Sequence, residues 1–111
     1  MARWLVPLEE FEAKLGSDGK PFWTGLRHGT MLVELFAPQG RDTQGVHTQD
    51  ELYIVLRGTG TFSKSGETRP VQAGDVIFVE AGAEHRFETF SDDFATWVVF
   101  WGPEGGEKEE S

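Results

Sequence analysis

The chain has three histidines, His28, His47 and His85, and no cysteine. Thiolate nucleophiles, disulfides and Cys-ligated zinc or iron–sulfur centres are therefore excluded. His47 stands in Gln44-Gly45-Val46-His47-Thr48-Gln49-Asp50-Glu51. Side chains two apart share one face of a strand, so an extended segment turns His47, Gln49 and Glu51 to the same side. An imidazole and a carboxylate on one face are donor types that hold a divalent metal. Alone, that spacing is more common in hydrogen-bonded polar surface. His85 follows Glu80-Ala81-Gly82-Ala83-Glu84 at the start of another strand-like run. His28 precedes the first strong strand signal and reads as structural.

The elements that must position these groups are mostly strands. Pro7 suits the first turn of a short helix, and Glu9 and Glu10 suit its positive end. Leu8, Phe11 and Leu15 keep helical spacing, and Gly16 stops it. Gly19, Pro21 and Gly25 predict irregular chain. Met31 to Phe36 is an apolar run broken only by Glu34, which predicts a strand. Further strands are predicted over Leu52–Leu56, Thr61–Lys64, Thr68–Gln72, Val76–Val79, His85–Phe90 and Phe94–Trp101. Ser65-Gly66-Glu67 predicts a hairpin turn. Strands at this spacing without intervening helices predict an antiparallel sandwich or barrel. The expected organisation is one domain: a helix and irregular arm over 1–29, a barrel over 30–102, and an acidic flexible tail over 103–111. That tail sets Glu104, Glu107, Glu109 and Glu110 against Lys108.

Two strands are apolar on both faces. Tyr53 and Val55 alternate with Leu52, Ile54 and Leu56, while Phe94, Val98 and Phe100 alternate with Ala95, Trp97, Val99 and Trp101. A sheet with one wet face alternates apolar with polar. Both faces need cover here, from the helix or from a partner subunit, so a homodimer is expected.

Composition narrows the function. The 111 residues include four Trp and nine Phe, enough apolar area for a core. A net charge of −9 argues against a nucleic-acid or anionic-membrane surface. No apolar run approaches the ~20 residues of a membrane span, and the start lacks the pattern of a signal peptide. A cytoplasmic location is expected.

Read together, the two histidine segments and their glycines say more. His47, Glu51 and, after six intervening residues, Gly58 resemble the first motif of the cupin superfamily, G-x5-H-x-H-x3,4-E-x6-G. Gly74, Glu80, Gly82, His85 and Thr89 resemble its second, G-x5-P-x-G-x2-H-x3-N. The resemblance runs from Gly40 to Thr89. It implies an all-β, jelly-roll barrel of two antiparallel sheets with a short N-terminal helix, often dimeric. It also implies one divalent transition metal (Mn, Fe, Ni or Zn), held by His47, Glu51 and His85, with a further ligand from Gln49 or Gln44. The sequence departs from the motifs at four places. Gly45 stands where the first histidine belongs, Gly40 is one residue out of register, and Glu80 and Thr89 replace the proline and asparagine. The implied function is binding, or action on, a small molecule. If the chain is an enzyme, dioxygenase-, isomerase- or lyase-like chemistry is implied, with Tyr53 or Glu84 moving protons. A metal-free, non-enzymatic binding module is the other reading left open. Parity predicts that Phe87 points inward with His85 and that Tyr53 shares a face with Glu51. Phe78, Trp97 and Phe100 are lining candidates of unfixed direction.

Overall fold

The structure, a computed structural model, describes residues 3–108. One helix, α1 (Leu8–Lys14), precedes eight strands: β1 (Phe22–His28), β2 (Met31–Phe36), β3 (Asp50–Arg57), β4 (Thr59–Lys64), β5 (Glu67–Gln72), β6 (Val76–Val79), β7 (His85–Phe90) and β8 (Ala95–Trp101). They form a five-stranded sheet in the order β1-β2-β8-β3-β6 and a three-stranded sheet in the order β5-β4-β7. All pairings are antiparallel. This is the expected jelly-roll of two sheets, packed face to face without hydrogen bonds closing them into one cylinder.

Register decides what faces inward, because directly paired residues share a face. One row crosses the larger sheet through Leu32, Phe100, Glu51 and Val79. The next crosses through Thr24, Glu34, Val98, Tyr53 and Ile77. Phe62, Val71 and Phe87 meet these rows from the smaller sheet and form one core with Tyr53, Val79 and Val98. The β4–β5 hairpin turns through Ser65 and Gly66, both at positive φ (50° and 87°). A two-residue turn of that hand matches the twist of its strands.

The opposite face of the larger sheet is covered at one end by α1. Phe11, only 2% exposed, packs its ring edge-on to Trp23 and Trp97, with centroids 5.3 and 4.8 Å away. Burying one such side chain contributes about 2 kcal/mol. Leu35 and Ala95 complete this second cluster. The helix does not reach the β3–β6 end, where Ile54 of β3 and Val76 and Phe78 of β6 remain exposed.

Two expectations need correcting. The arm over 1–29 is not irregular after the helix, since β1 spans Phe22–His28 and pairs with β2. Gly25 is a strand residue at a register shift between Thr24 and Leu26, and a Cβ there would lie 2.3 Å from the Phe11 ring. The glycine admits the helix; it does not break the strand. The chain after Trp101 is not free along its described length either. Gly102 N–H donates to Thr30 Oγ1 (3.0 Å), Gly105 N–H to the Thr48 carbonyl (2.7 Å) and Glu107 N–H to Asp50 Oδ2 (2.9 Å). Composition counts the charges of this stretch but not the backbone N–H groups that a buried Asp50 can hold. Glu109, Glu110 and Ser111 lie outside the described residues.

Candidate metal centre

Glu51 sits near the start of β3 in the inward row, and His85 opens β7 on the facing sheet. Both are buried, with Glu51 wholly inaccessible. His47 lies in the loop before β3, not on the strand as expected. Backbone and side-chain hydrogen bonds hold that loop. Asp42 Oδ1 accepts from Gln44 N–H (3.0 Å), and its Oδ2 accepts from the buried Phe87 N–H of β7 (2.9 Å). The His47 carbonyl accepts from Gly82 N–H (2.8 Å). The two histidine-bearing segments are thus tied to each other through the backbone.

His47, Glu51 and His85 converge so that one donor atom from each lies within 4.8 Å of the others. His85 Nδ1 is 2.9 Å from the Ala83 carbonyl. That bond places the proton on Nδ1 of the neutral ring and leaves Nε2 as a lone-pair donor aimed inward. Nε2 faces Glu51 Oε1 at 3.1 Å. His47 Nε2, both Glu51 carboxylate oxygens and His85 Nε2 are buried without a hydrogen-bond donor or acceptor to satisfy them. The His85 pKa responds to opposing influences. Burial pulls it down, but the Glu51 carboxylate, the Ala83 carbonyl and the charge of Asp42 outweigh this and raise it.

The other expected residues divide. Tyr53 is buried on the Glu51 face, and its hydroxyl donates to Gln44 Oε1 (3.2 Å). Burial, then the negative charge of Glu51, push its pKa far above the ordinary phenol value, so it acts as a donor and not as a base. Gln44 Nε2 donates to Asp42 Oδ2 (3.1 Å). Gln49 turns away from Glu51 and donates to the carbonyls of Gly102 (2.9 Å) and Thr30 (3.2 Å). The one-face expectation for His47, Gln49 and Glu51 fails at Gln49, because the segment is not extended until Asp50. Gly45 is likewise in this loop and not on a strand. Glu84 is exposed beside His85, on the wall of a cavity of about 500 Å³. His28 is exposed at the end of β1. Phe87 points inward as expected; Phe100 does too, its ring 4.7 Å from His47. Trp97 faces α1 and Phe78 faces outward.

A cavity of about 440 Å³ opens beside His47, between its loop and the inner faces of β1 and β2. Its size suits a small molecule. Glu34 stands on its wall, half-buried, with Oε2 accepting from Thr24 Oγ1 (3.1 Å). Burial raises the Glu34 pKa above the ordinary carboxylate value. Motif reading missed Glu34 and Asp42. The signal for Glu34 was there: it is the only polar residue in Met31–Phe36, and its parity is that of Leu32 and Phe36. Asp42 offered no comparable mark.

Comparison with known proteins agrees with this fold. A Streptomyces coelicolor protein of uncharacterized function, SCO3923, is 36% identical over 99 residues, covering 87% of this chain and 94% of its own. The oxalate-binding protein of Thermotoga maritima is 38% identical over 61 residues, 52% of this chain and 50% of that protein. Among solved structures, a conserved-barrel cupin from Salinispora arenicola superposes with a TM-score of 0.65 at 23% identity, covering 92% of this chain and 91% of that one. A Bacillus halodurans protein gives 0.72 at 18%, covering 93% and 84%. The family model for the cupin domain matches residues 32–101, which include all three converging side chains. This chain belongs to the cupin family.

Proposed function

We propose that the chain is a small metal-dependent cupin that binds, and when catalytic transforms, a small molecule in the cavity beside His47. His47 Nε2, the Glu51 carboxylate and His85 Nε2 hold one divalent transition metal, with Mn, Fe, Ni and Zn as the candidates. The observation that carries this reading is the set of four buried, unsatisfied polar atoms facing one another. Buried polar groups left without partners cost several kcal/mol in total, at roughly 1–3 kcal/mol each. A cation among them removes that cost. Two imidazoles and a carboxylate leave coordination positions open, the ligand set of non-haem iron oxygenases and a fair match to the other candidates.

When bound, the metal supplies Lewis acidity at those open positions. The chain's own groups do the rest. Phe100 and Phe36 exclude water from one side of the cavity. The Tyr53 hydroxyl, kept protonated, holds Gln44 and through it the loop that carries His47. The oxalate-binding relative supports a small ligand that chelates the metal, and the shared sequence covers only half of that protein. The exposed apolar residues Ile54, Val76 and Phe78 support a homodimer formed through the β3–β6 end of the larger sheet.

Elemental analysis of the purified wild type and of His85→Ala tests the reading. The wild type should hold about one metal ion per chain, and His85→Ala should lose it, since two ligands rarely suffice. Equal metal content in both would remove His85 from the ligand set, and none in a reloaded wild type would sink the metal-dependent reading in favour of a metal-free binding module.

A further inference from the structure

Among the described residues, Glu34 is the one carboxylate on the wall of the 440 Å³ cavity, and no Lys or Arg lines it. Its direction follows from register. Glu34 pairs with Thr24 on one side and with Val98, a core residue, on the other. It lies two strands and one row from Glu51 in the same inward face. At about 4.8 Å per strand and 3.3 Å per residue, that is roughly 12 Å between backbones. A molecule chelated at the metal centre and a few bonds long therefore spans the gap.

Only one oxygen of Glu34 is engaged. Among the described residues, Thr24 donates to Oε2 and no group donates to Oε1. A carboxyl group inside a protein is costly unless donors reach it. The nearest cation along the sheet, Arg27 on β1, is exposed and is not part of the cavity wall. Its charge acts on Glu34 less strongly than burial does.

We propose that Glu34 selects the ligand: it admits a molecule that turns a hydroxyl or ammonium donor toward its carboxyl group, and rejects one that turns a second carboxylate there. This rests on the metal reading, because the metal fixes the other end of the ligand. It also separates this chain from a site suited to small diacids. A dicarboxylate would bring a like charge against Glu34 with no cation in the cavity to offset it.

Three probes of equal chain length test the proposal: succinate, 4-hydroxybutyrate and 4-aminobutyrate. Each offers a carboxylate to the metal and differs only at the far end. They are titrated calorimetrically into wild type and Glu34→Gln, both loaded with metal and assayed for metal content. Glu34→Gln keeps shape and keeps a partner for the Thr24 hydroxyl. Wild type should bind the hydroxyl and amine probes at least about tenfold more tightly than succinate, since like charges at close range are strongly disfavoured. In Glu34→Gln, succinate should gain, 4-aminobutyrate should lose, and the gap should close. The same ranking in both proteins overturns the proposal, as does metal-loaded wild type that binds none of the probes. A wild type that takes up no metal overturns the proposed function instead. Selection is then read in the metal-free protein from the carbon-13 signal of the Glu34 carboxyl. A shift with 4-aminobutyrate and none with succinate keeps the selection; no shift with either removes it.

Discussion

His85 Nε2 and Glu51 Oε1 face each other at 3.1 Å in a buried setting, while the other nitrogen of the same ring is committed to the Ala83 carbonyl. Two species can join these atoms. One is a proton on Nε2, which makes an imidazolium–carboxylate pair. The other is a metal cation, which requires the neutral ring.

The two occupants give opposite pH dependences. Without metal, the Glu51 carboxylate and the Ala83 carbonyl raise the His85 pKa in spite of burial. A raised folded value means that the stabilisation is fully present below the unfolded value of about 6.5 and is lost as pH rises through the folded value. The metal-free protein should therefore melt at lower temperature as pH is raised through this range. The metal-loaded protein should behave the other way, because protons compete with metal for imidazole. Melting curves of both forms, with His85→Gln as the control that flattens each, check the prediction. Parallel pH profiles for the two forms would contradict it.

Asp42 is a positioning residue for His47. Its carboxylate accepts from the buried Phe87 N–H of β7 and from both the backbone and side-chain N–H groups of Gln44. Asp42→Ala leaves the Phe87 N–H without a partner and frees the loop. Unfolding of the metal-free variant should show a loss of about 1–3 kcal/mol. Metal affinity should fall as well, although Asp42 is not one of the converging donors. Asp42→Asn, which keeps one acceptor oxygen, should recover part of both. Full metal affinity in a destabilised Asp42→Ala would confine the residue to stability.

Sequence pattern carried much of this architecture, for physical reasons that differ by element. β2, β6 and β7 have the bounds that the sequence predicts, because turn residues close each end. The Ser65-Gly66 hairpin was legible because its turn needs positive φ. His47, Glu51 and His85 were legible because two motifs sit in order along the chain. What was not legible depends on contacts remote in sequence. β1 was hidden by Gly25, whose missing side chain serves α1. The course of residues 102–107 depends on Asp50 and Thr48, which composition cannot pair with them. Gln49 looked inward by alternation, but the loop before Asp50 is not a strand.

Gly25→Ala tests that account of β1. The added methyl would meet the Phe11 ring at 2.3–2.4 Å and the Trp23 ring at 2.9 Å. Overpacking of this kind costs typically about 1–3 kcal/mol. The melting temperature should fall while metal content stays near wild type, because α1 covers the face of the sheet away from His47, Glu51 and His85. Gly25→Ala with unchanged stability would mean that the helix shifts freely on its sheet.

Gly45 offers the most direct probe of the coordination set. It takes the place of a histidine in the first cupin motif, and under the proposed ligand set that replacement would leave a coordination position open. The residue lies in the loop that carries His47, and its φ is not in the positive range that disfavours side chains. A Cβ built there meets nothing within 4 Å, so a larger side chain is sterically admitted. The position lines the same 500 Å³ cavity as His85. Gly45→His should therefore supply a further imidazole and tighten metal binding, by about tenfold if the new bond is worth some 1.4 kcal/mol. Stability of the metal-free protein should change little, since the site is exposed. Metal affinity and the melting temperature of the metal-free variant need to be measured together. Tighter binding with stability kept places position 45 beside the metal. Unchanged affinity in a well-folded Gly45→His would show that the loop turns this position away from the centre. The first-histidine position of the family motif would then be lost here through backbone course as well as through side-chain identity.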